Sequence, residues 1–342
     1  MSRFRFSVGP WNVNEGVEAF GPAVRPSIPL EEKFKKFAEI GISGVQFHDD
    51  DAVPNMNDLS EAEIIEEAKK VKALLDKYGL EAEFVAPRLW QDPHTTDGAF
   101  TSNFPEDREF AMWRAYRSCD IAKVLGTKKI VLWLAREGTL CQESKSAVEN
   151  VNRLLDTVNK LLAYDPEIEV LIEPKPNEPI DRSFCPTVGH VMALGAKSID
   201  PKRVGCVMES AHAILAGLDP ANEMSFAIAM GKLGSVHFND QNGVRYDQDK
   251  SFGAENLRSA FNQVKVLCDN NYGANGEFVG LDVKCMRTQR PGDDYQHIIN
   301  SMRLVEIMEE KVDRFDNAVL QQCIDEKNYE KLELYVLELL TH

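Results

Sequence analysis

The residues of this chain best suited to chemistry come in short groups, each attached to the end of an apolar run. His48 stands in Phe47-His48-Asp49-Asp50-Asp51, and Glu173 and Lys175 stand in Leu171-Ile-Glu-Pro-Lys-Pro-Asn-Glu-Pro179. Further along come Glu209-Ser-Ala-His212, His237-Phe-Asn239-Asp240, Tyr246-Asp247-Gln248-Asp249, and the pair Asp282 and Lys284. Residues two apart in an extended chain point the same way. Glu173 and Lys175 therefore share a side, as do His237 and Asn239, and Asp247 and Asp249. Carboxylates that converge repel each other unless cations neutralise them, and carboxylate-rich sets with an occasional histidine suit hard divalent ions such as Mg2+ or Mn2+. Each group alone has a plainer reading. A single histidine at a strand end is most often a hydrogen-bonded core residue, Asp49–Asp51 has the composition of a cap or turn, and Asp247 and Asp249 would suit a solvated loop. Acids at the ends of several successive strands are harder to explain as independent accidents.

The elements that must position these groups can be read from hydrophobic period. Short apolar runs predict eight strands: Phe4–Pro10, Gly44–His48, Ala82–Pro87, Lys129–Leu134, Glu169–Glu173, Val204–Glu209, Gly234–Asn239 and Glu277–Lys284. Between them lie segments of helical period. In Ser60–Tyr78, Ala62, Ile65, Ala68, Val71, Leu74 and Leu75 recur at three- and four-residue spacing, after a Ser60-Glu-Ala-Glu63 capping box and before Gly79. Similar helices are predicted at 30–40, 105–126, 143–163, 188–198, 219–231, 253–271 and 293–314. Eight strand–helix units predict an α/β fold, a (β/α)8 TIM barrel over residues 1–314, with a short C-terminal helical tail over 315–342. Chemistry in such barrels sits at the C-terminal ends of the strands, which is where the acids and histidines fall.

Bulk composition narrows the class. The 342 residues are 43% hydrophobic, ample for one large core, and the net charge of −16 argues against nucleic-acid or anionic-membrane partners. No apolar run approaches the roughly 18 residues of a membrane span, and the Arg-interrupted start does not resemble a signal peptide. Seven cysteines without a CxxC spacing fit a reducing, cytoplasmic setting, with Cys119, Cys206 and Cys268 as core thiols.

Several stretches together resemble the xylose (glucose) isomerases, metal-dependent aldose–ketose isomerases. They are Phe47-His48-Asp49-x-Asp51, Arg136-Glu137-Gly138, Glu173-Pro-Lys-Pro-Asn-Glu-Pro179, Pro186-Thr-Val-Gly-His190, Glu209-x-x-His212 and Tyr246-Asp-Gln-Asp249. The resemblance runs from Trp11 to about Lys284 and implies two divalent metal ions (Mg2+, Mn2+ or Co2+). Glu173, Glu209 and Asp282 match ligands of the first, and Glu209 would bridge to a second completed by His212, Asp247 and Asp249. His48, oriented by Asp51, matches a histidine that assists ring opening, and Lys175 matches a lysine on the C1 oxygen. Trp11, Trp90 and Trp133 match aromatic walls, and Phe20 an aromatic inserted into a neighbouring subunit, so a homodimer or homotetramer is expected. The implied reaction opens the sugar ring and moves a hydride from C2 to C1.

The sequence also departs from that pattern. Where the family has an aspartate ligand on the seventh strand, this chain offers either Asn239 or His237, depending on whether a gap is allowed. Ala86 replaces a substrate-contacting threonine; Trp90 replaces a phenylalanine and Leu134-Ala135 two glycines, larger groups expected to crowd the mouth and change which sugar fits. The C-terminal arm is shorter than the family's. The alternatives are an epimerase or lyase working through an enediolate on the same barrel, and a catalytically dead sugar-binding protein.

Overall fold

The apolar runs form a closed parallel barrel in the computed structural model of the chain, which describes residues 2–244 and 246–342. Its strands are β1 (Arg5–Val8), β2 (Gly44–His48), β3 (Glu81–Ala86), β4 (Lys129–Trp133), β6 (Glu169–Glu173), β8 (Val204–Glu209), β9 (Leu233–Phe238) and β10 (Phe278–Leu281), hydrogen-bonded in that cyclic order. Two two-residue strands, β5 (Gly138–Thr139) and β7 (Arg182–Ser183), pair antiparallel outside the barrel. The eight barrel strands were all legible from their apolar runs, to within three residues at either end.

Helices alternate with the strands: α1 (Leu30–Glu39), α2 (Asp49–Ala52), α3 (Glu61–Tyr78), α4 (Pro105–Leu125), α5 (Ala147–Tyr164), α6 (Val188–Ala196), α7 (Ser210–Leu215), α8 (Pro220–Ala229), α9 (Leu257–Asp269) and α10 (Gln296–Asp313). The capping box that opens α3 forms as expected, with Ser60 Oγ accepting from Glu63 N–H, and Gly79 ends the helix in a left-handed turn at φ 67°. After α10, α11 (Asn317–Asp325) and α12 (Tyr329–Thr341) fold back on α9, with Phe315 between Phe261 and Tyr335 and an Arg258–Glu333 ion pair. No helix is long and apolar enough to cross a membrane among the described residues.

The core has two parts. Residues such as Phe34, Phe47, Ile64, Ile130, Phe238 and Phe261, all essentially inaccessible, join the outer face of the strands to the helices. Inside the barrel, Phe84, Ala86, Val131, Leu171 and Val207 form a separate apolar layer with Trp11 packed against it. Beneath lies a polar layer, where Glu83 accepts hydrogen bonds from Ser7, Gln46 Nε2 (3.2 Å) and Ser235 Oγ (2.5 Å). Among the described residues the interior is filled, which leaves a ligand inside the strand ring the space above that apolar layer.

Candidate active site

Parallel register brings the strand ends level. Trp133 pairs with Glu173, Glu209 with His237, His48 with Ala86, and Leu281 with Phe238. At these strand ends opens a cavity of about 460 Å³ lined by Trp11, His48, Ala86, Arg88, Trp90 and Trp133 on one side. Glu173, Lys175, His212, His237, Asp247, Asp249 and Asp282 line the other. Most of the sequence candidates line the cavity, and four do not. Asp51 and Glu209 contact its lining residues His48 and His212 without lining it themselves. Phe20, 98% exposed on the loop after β1, does not line the cavity, and Asn239 lies buried behind it. The predicted crowding by Leu134 and Ala135 is not found: both are buried and neither lines the cavity.

The acidic side holds two donor groups that share Glu209. In the first, His237 Nδ1 lies 3.1 Å from Glu173 Oε1 and 3.5 Å from Glu209 Oε2. In the second, His212 Nε2 lies 3.2 Å from both Glu209 Oε1 and Asp247 Oδ2. Helix α7, starting directly after Glu209, is what turns His212 back over the strand end. Asp282, just past β10, accepts from Trp11 Nε1–H at 2.9 Å, which ties the acidic side to the aromatic wall. Trp11 can lie there because residue 9 is glycine: a Cβ at Gly9 would meet the indole at 2.2 Å.

Asn239 is oriented by its backbone partner. Its Oδ1 accepts from Ala211 N–H at 2.8 Å, which directs its Nδ2 to donate to Glu209 Oε1 (2.9 Å) and Asp249 Oδ1 (3.1 Å). A backbone N–H can only donate, so the amide oxygen faces α7 and the cavity side receives only N–H groups.

The loop carrying Asp247 and Asp249 is held from several directions. Gln241 Nε2 donates to the carbonyls of Gly243 (2.8 Å) and Tyr246 (2.9 Å), and its Oε1 accepts from Gln248 N–H at 2.9 Å. Glu178 accepts the Asp247 N–H at 2.8 Å. Asp249 sits at φ 43°, a left-handed conformation uncommon for a residue other than glycine, and Lys284 N–H binds its carbonyl at 2.7 Å.

Burial and charge set the protonation of this cluster. Burial disfavours ionised Asp247, but His212 and Lys175 outweigh it and hold the carboxyl well below its usual range. Burial and then Asp247 push Asp249 well above that range, and burial with Glu209 raises Asp282. Burial also opposes charge on His237, yet Glu173 and Glu209 together push it well above the imidazole range. Lys175 stays charged despite burial because Asp247 Oδ2 lies 2.8 Å from its Nζ. Its ammonium also sits 5.0 Å from the Trp133 ring centroid.

Opposite, His48 packs against Trp11 with ring centroids 4.1 Å apart and planes tilted by 34°, and meets Trp90 edge-on at 5.0 Å. Trp90 in turn packs edge-on against Trp133 at 4.4 Å. Asp51 Oδ2 accepts the His48 backbone N–H at 3.0 Å and lies 3.1 Å from His48 Nδ1. Asp49, by contrast, is a buried structural anchor, bidentate to Arg114 at 2.7 and 2.8 Å. Among the cavity residues that escaped the sequence reading as site residues are Arg88, Arg136, whose Nε donates to Trp90 O at 3.1 Å, and Glu178. Glu178 was visible as a charge among prolines, but only the fold brings it to the Asp247 loop.

The acidic side fits divalent cations. Glu209 Oε2, His212 Nδ1, His237 Nε2 and Asp247 Oδ1 are buried yet lack a hydrogen-bond partner, an unusual concentration of unsatisfied atoms in one place. Carboxylate oxygens with imidazoles that would give up their proton to an ion are a donor set for Mg2+, Mn2+ or Co2+.

A barrel with such a cluster at its strand ends defines a class, and comparison with known proteins identifies it. Residues 34–303 match the model of the xylose isomerase-like TIM barrel family, and the chain belongs to that family. It is 33% identical over 316 residues, 91% of this chain and 80% of the relative, to a protein named xylose isomerase from Thermus thermophilus. Solved structures share the fold at lower identity. A D-tagatose 3-epimerase-like protein superposes with a TM-score of 0.66 at 18% identity, covering 90% of this chain and 99% of its own. The 3-keto-D-glucoside 4-epimerase from E. coli superposes with a TM-score of 0.61 at 18% identity, covering 89% of this chain and 100% of its own.

Proposed function

We propose that the chain is a divalent-metal-dependent aldose–ketose isomerase acting on an aldopentose or aldohexose. The observation that carries this reading is the pair of donor groups sharing Glu209, set beside Lys175 in a tryptophan-walled cavity. Glu173, Glu209, His237 and Asp282 would hold one ion, and Glu209, His212, Asp247 and Asp249 the other. His237 takes the place in the first set that Asn239 cannot, since the Asn239 oxygen is occupied by Ala211 N–H. Bound there, the two ions supply Lewis acidity to adjacent oxygens of the sugar.

The chain's own residues do the rest. His48, its backbone held by Asp51, faces the sugar as its ring opens. Lys175, kept charged by Asp247, offers N–H groups to the C1 oxygen. Trp11, Trp90 and Trp133 exclude water, which favours a direct hydride shift from C2 to C1 over proton exchange with solvent. Phe20, exposed beside the mouth, would reach the cavity of a second copy in a homodimer or homotetramer. Titrating metal-stripped protein with Mg2+, Mn2+ and Co2+ by calorimetry, then screening aldoses on each loaded form, tests the reading. Two ions bound per chain and activity that follows loading are expected; no binding would overturn it.

One observation favours a second reading. Glu173, Glu209 and His237 make a complete donor set without Asp247, which would suffice for a one-ion epimerase acting through an enediolate. That reading leaves His212, Asp247 and Asp249 without a task.

A further inference from the structure

Arg88 stands against the imidazole on the wall opposite the acids. Its guanidinium NH2 lies 2.7 Å from His48 Nδ1 in hydrogen-bond alignment. Asp51 Oδ2 approaches the same nitrogen at 3.1 Å as an ion pair, without that alignment. A guanidinium can only donate and an ionised carboxylate can only accept, so one ring nitrogen faces two partners making opposite demands. A proton on Nδ1 would serve Asp51 and collide with the Arg88 N–H; a bare Nδ1 serves Arg88.

Several contacts decide between them in favour of Arg88. The guanidinium donates NH1–H to Gln91 Oε1 at 3.4 Å and lies 5.6 Å from the centroid of the Trp90 ring, while its Nε faces Asp50 Oδ1 at 2.8 Å as an ion pair without a hydrogen bond. Its backbone N–H is held by Asp49 Oδ1 at 3.1 Å. Both Asp51 oxygens also have other donors: Oδ2 accepts the His48 backbone N–H at 3.0 Å and Oδ1 accepts from Arg88 NH2 at 3.5 Å. His48 lines the cavity, and its Nε2 has no hydrogen-bond partner among the described residues.

We infer that Arg88 is a positioning residue that fixes His48 as its neutral Nε2–H tautomer, so that the imidazole meets the sugar as a hydrogen-bond donor to an acceptor oxygen and not as a base. The inference rests on the proposed reading of His48 as a sugar-facing residue. It separates His48 from Lys175 in chemistry: both donate, and no neutral base is left on the aromatic side of the cavity.

The test is direct observation of the tautomer. Protein with 15N-labelled histidine, loaded with Mg2+, is examined by two-bond proton–nitrogen correlation at neutral pH, with His48 assigned by its loss in His48→Gln. The wild type should show protonated Nε2, Arg88→Lys should keep it, and Arg88→Met should move the proton to Nδ1, where Asp51 accepts it. On a cyclic aldose, kcat/KM should fall about ten-fold in Arg88→Met and recover in part in Arg88→Lys. A wild-type His48 protonated on Nδ1, or a tautomer unchanged in Arg88→Met, overturns the inference. The wild-type spectrum alone decides the matter should Arg88→Met fail to fold. A tautomer that switches as expected in a protein that turns over no aldose supports the Arg88 assignment and overturns the isomerase reading, so the two fail separately.

Discussion

At the scale of the residue, Glu209 and Asn239 illustrate how two polar groups 2.9 Å apart take different parts. Glu209 belongs to both donor groups and keeps Oε2 unpartnered, whereas every polar atom of Asn239 that faces Glu209 or Asp249 is a donor. Glu209→Gln should abolish activity and lower the number of ions bound per chain. Asn239→Ala should weaken metal affinity by about 10- to 100-fold, the usual effect of losing a partner that orients a ligand, while keeping the stoichiometry. Equal losses of stoichiometry, measured by calorimetry, would mean Asn239 ligates directly. The sequence left His237 and Asn239 open because the match to the seventh strand gives one with a gap and the other without, and both project from one side of an extended chain. The fold adds the start of α7, whose Ala211 N–H occupies the Asn239 oxygen. Arg88 was invisible for a related reason: nothing in its neighbours along the chain shows that it faces His48, forty residues away.

At the scale of the element, the strands were legible because buried parallel strands read as apolar runs bounded by turns, and the strand ends named most of the site with them. The short α2 and α7 were not, since four and six residues carry no period, yet α7 is what places His212. Another connection escaped as well. His297 on α10 donates Nε2–H to Asn12 O at 2.8 Å and accepts from Gln289 Nε2 at 3.2 Å, and so anchors the turn that carries Trp11. Burial is the main cause that holds the His297 imidazole down, to about 4. The unfolded chain takes up this proton near the ordinary value of about 6.5, while the folded protein resists it. Between those values the unfolded state binds more protons, so stability falls as pH drops from 6.5 towards 4. The loss from this one group is at most about 3 kcal/mol. Urea unfolding of wild type and His297→Gln should show the variant less stable at pH 7 and the difference shrinking by pH 4.5. A difference independent of pH would rule out His297 as the source.

At the scale of the molecule, the barrel solves two problems with one arrangement. Its filled interior and helical jacket supply the core, and the level strand ends convert distant stretches of sequence into one cavity with an acidic and an aromatic side. That division is the basis for the proposed isomerase: a donor set suited to cations on one wall, indoles on the other, and Lys175 at their junction. The same geometry separates the two enzymatic readings. A hydride moved directly from C2 to C1 never meets solvent, whereas a proton passed through an enediolate exchanges with it. The decisive measurement is the fate of deuterium at C2 of an aldose that the metal-loaded protein converts, followed by NMR of the ketose formed in ordinary water. The label should be retained at C1. Its loss to solvent would contradict the hydride shift and favour the enediolate route.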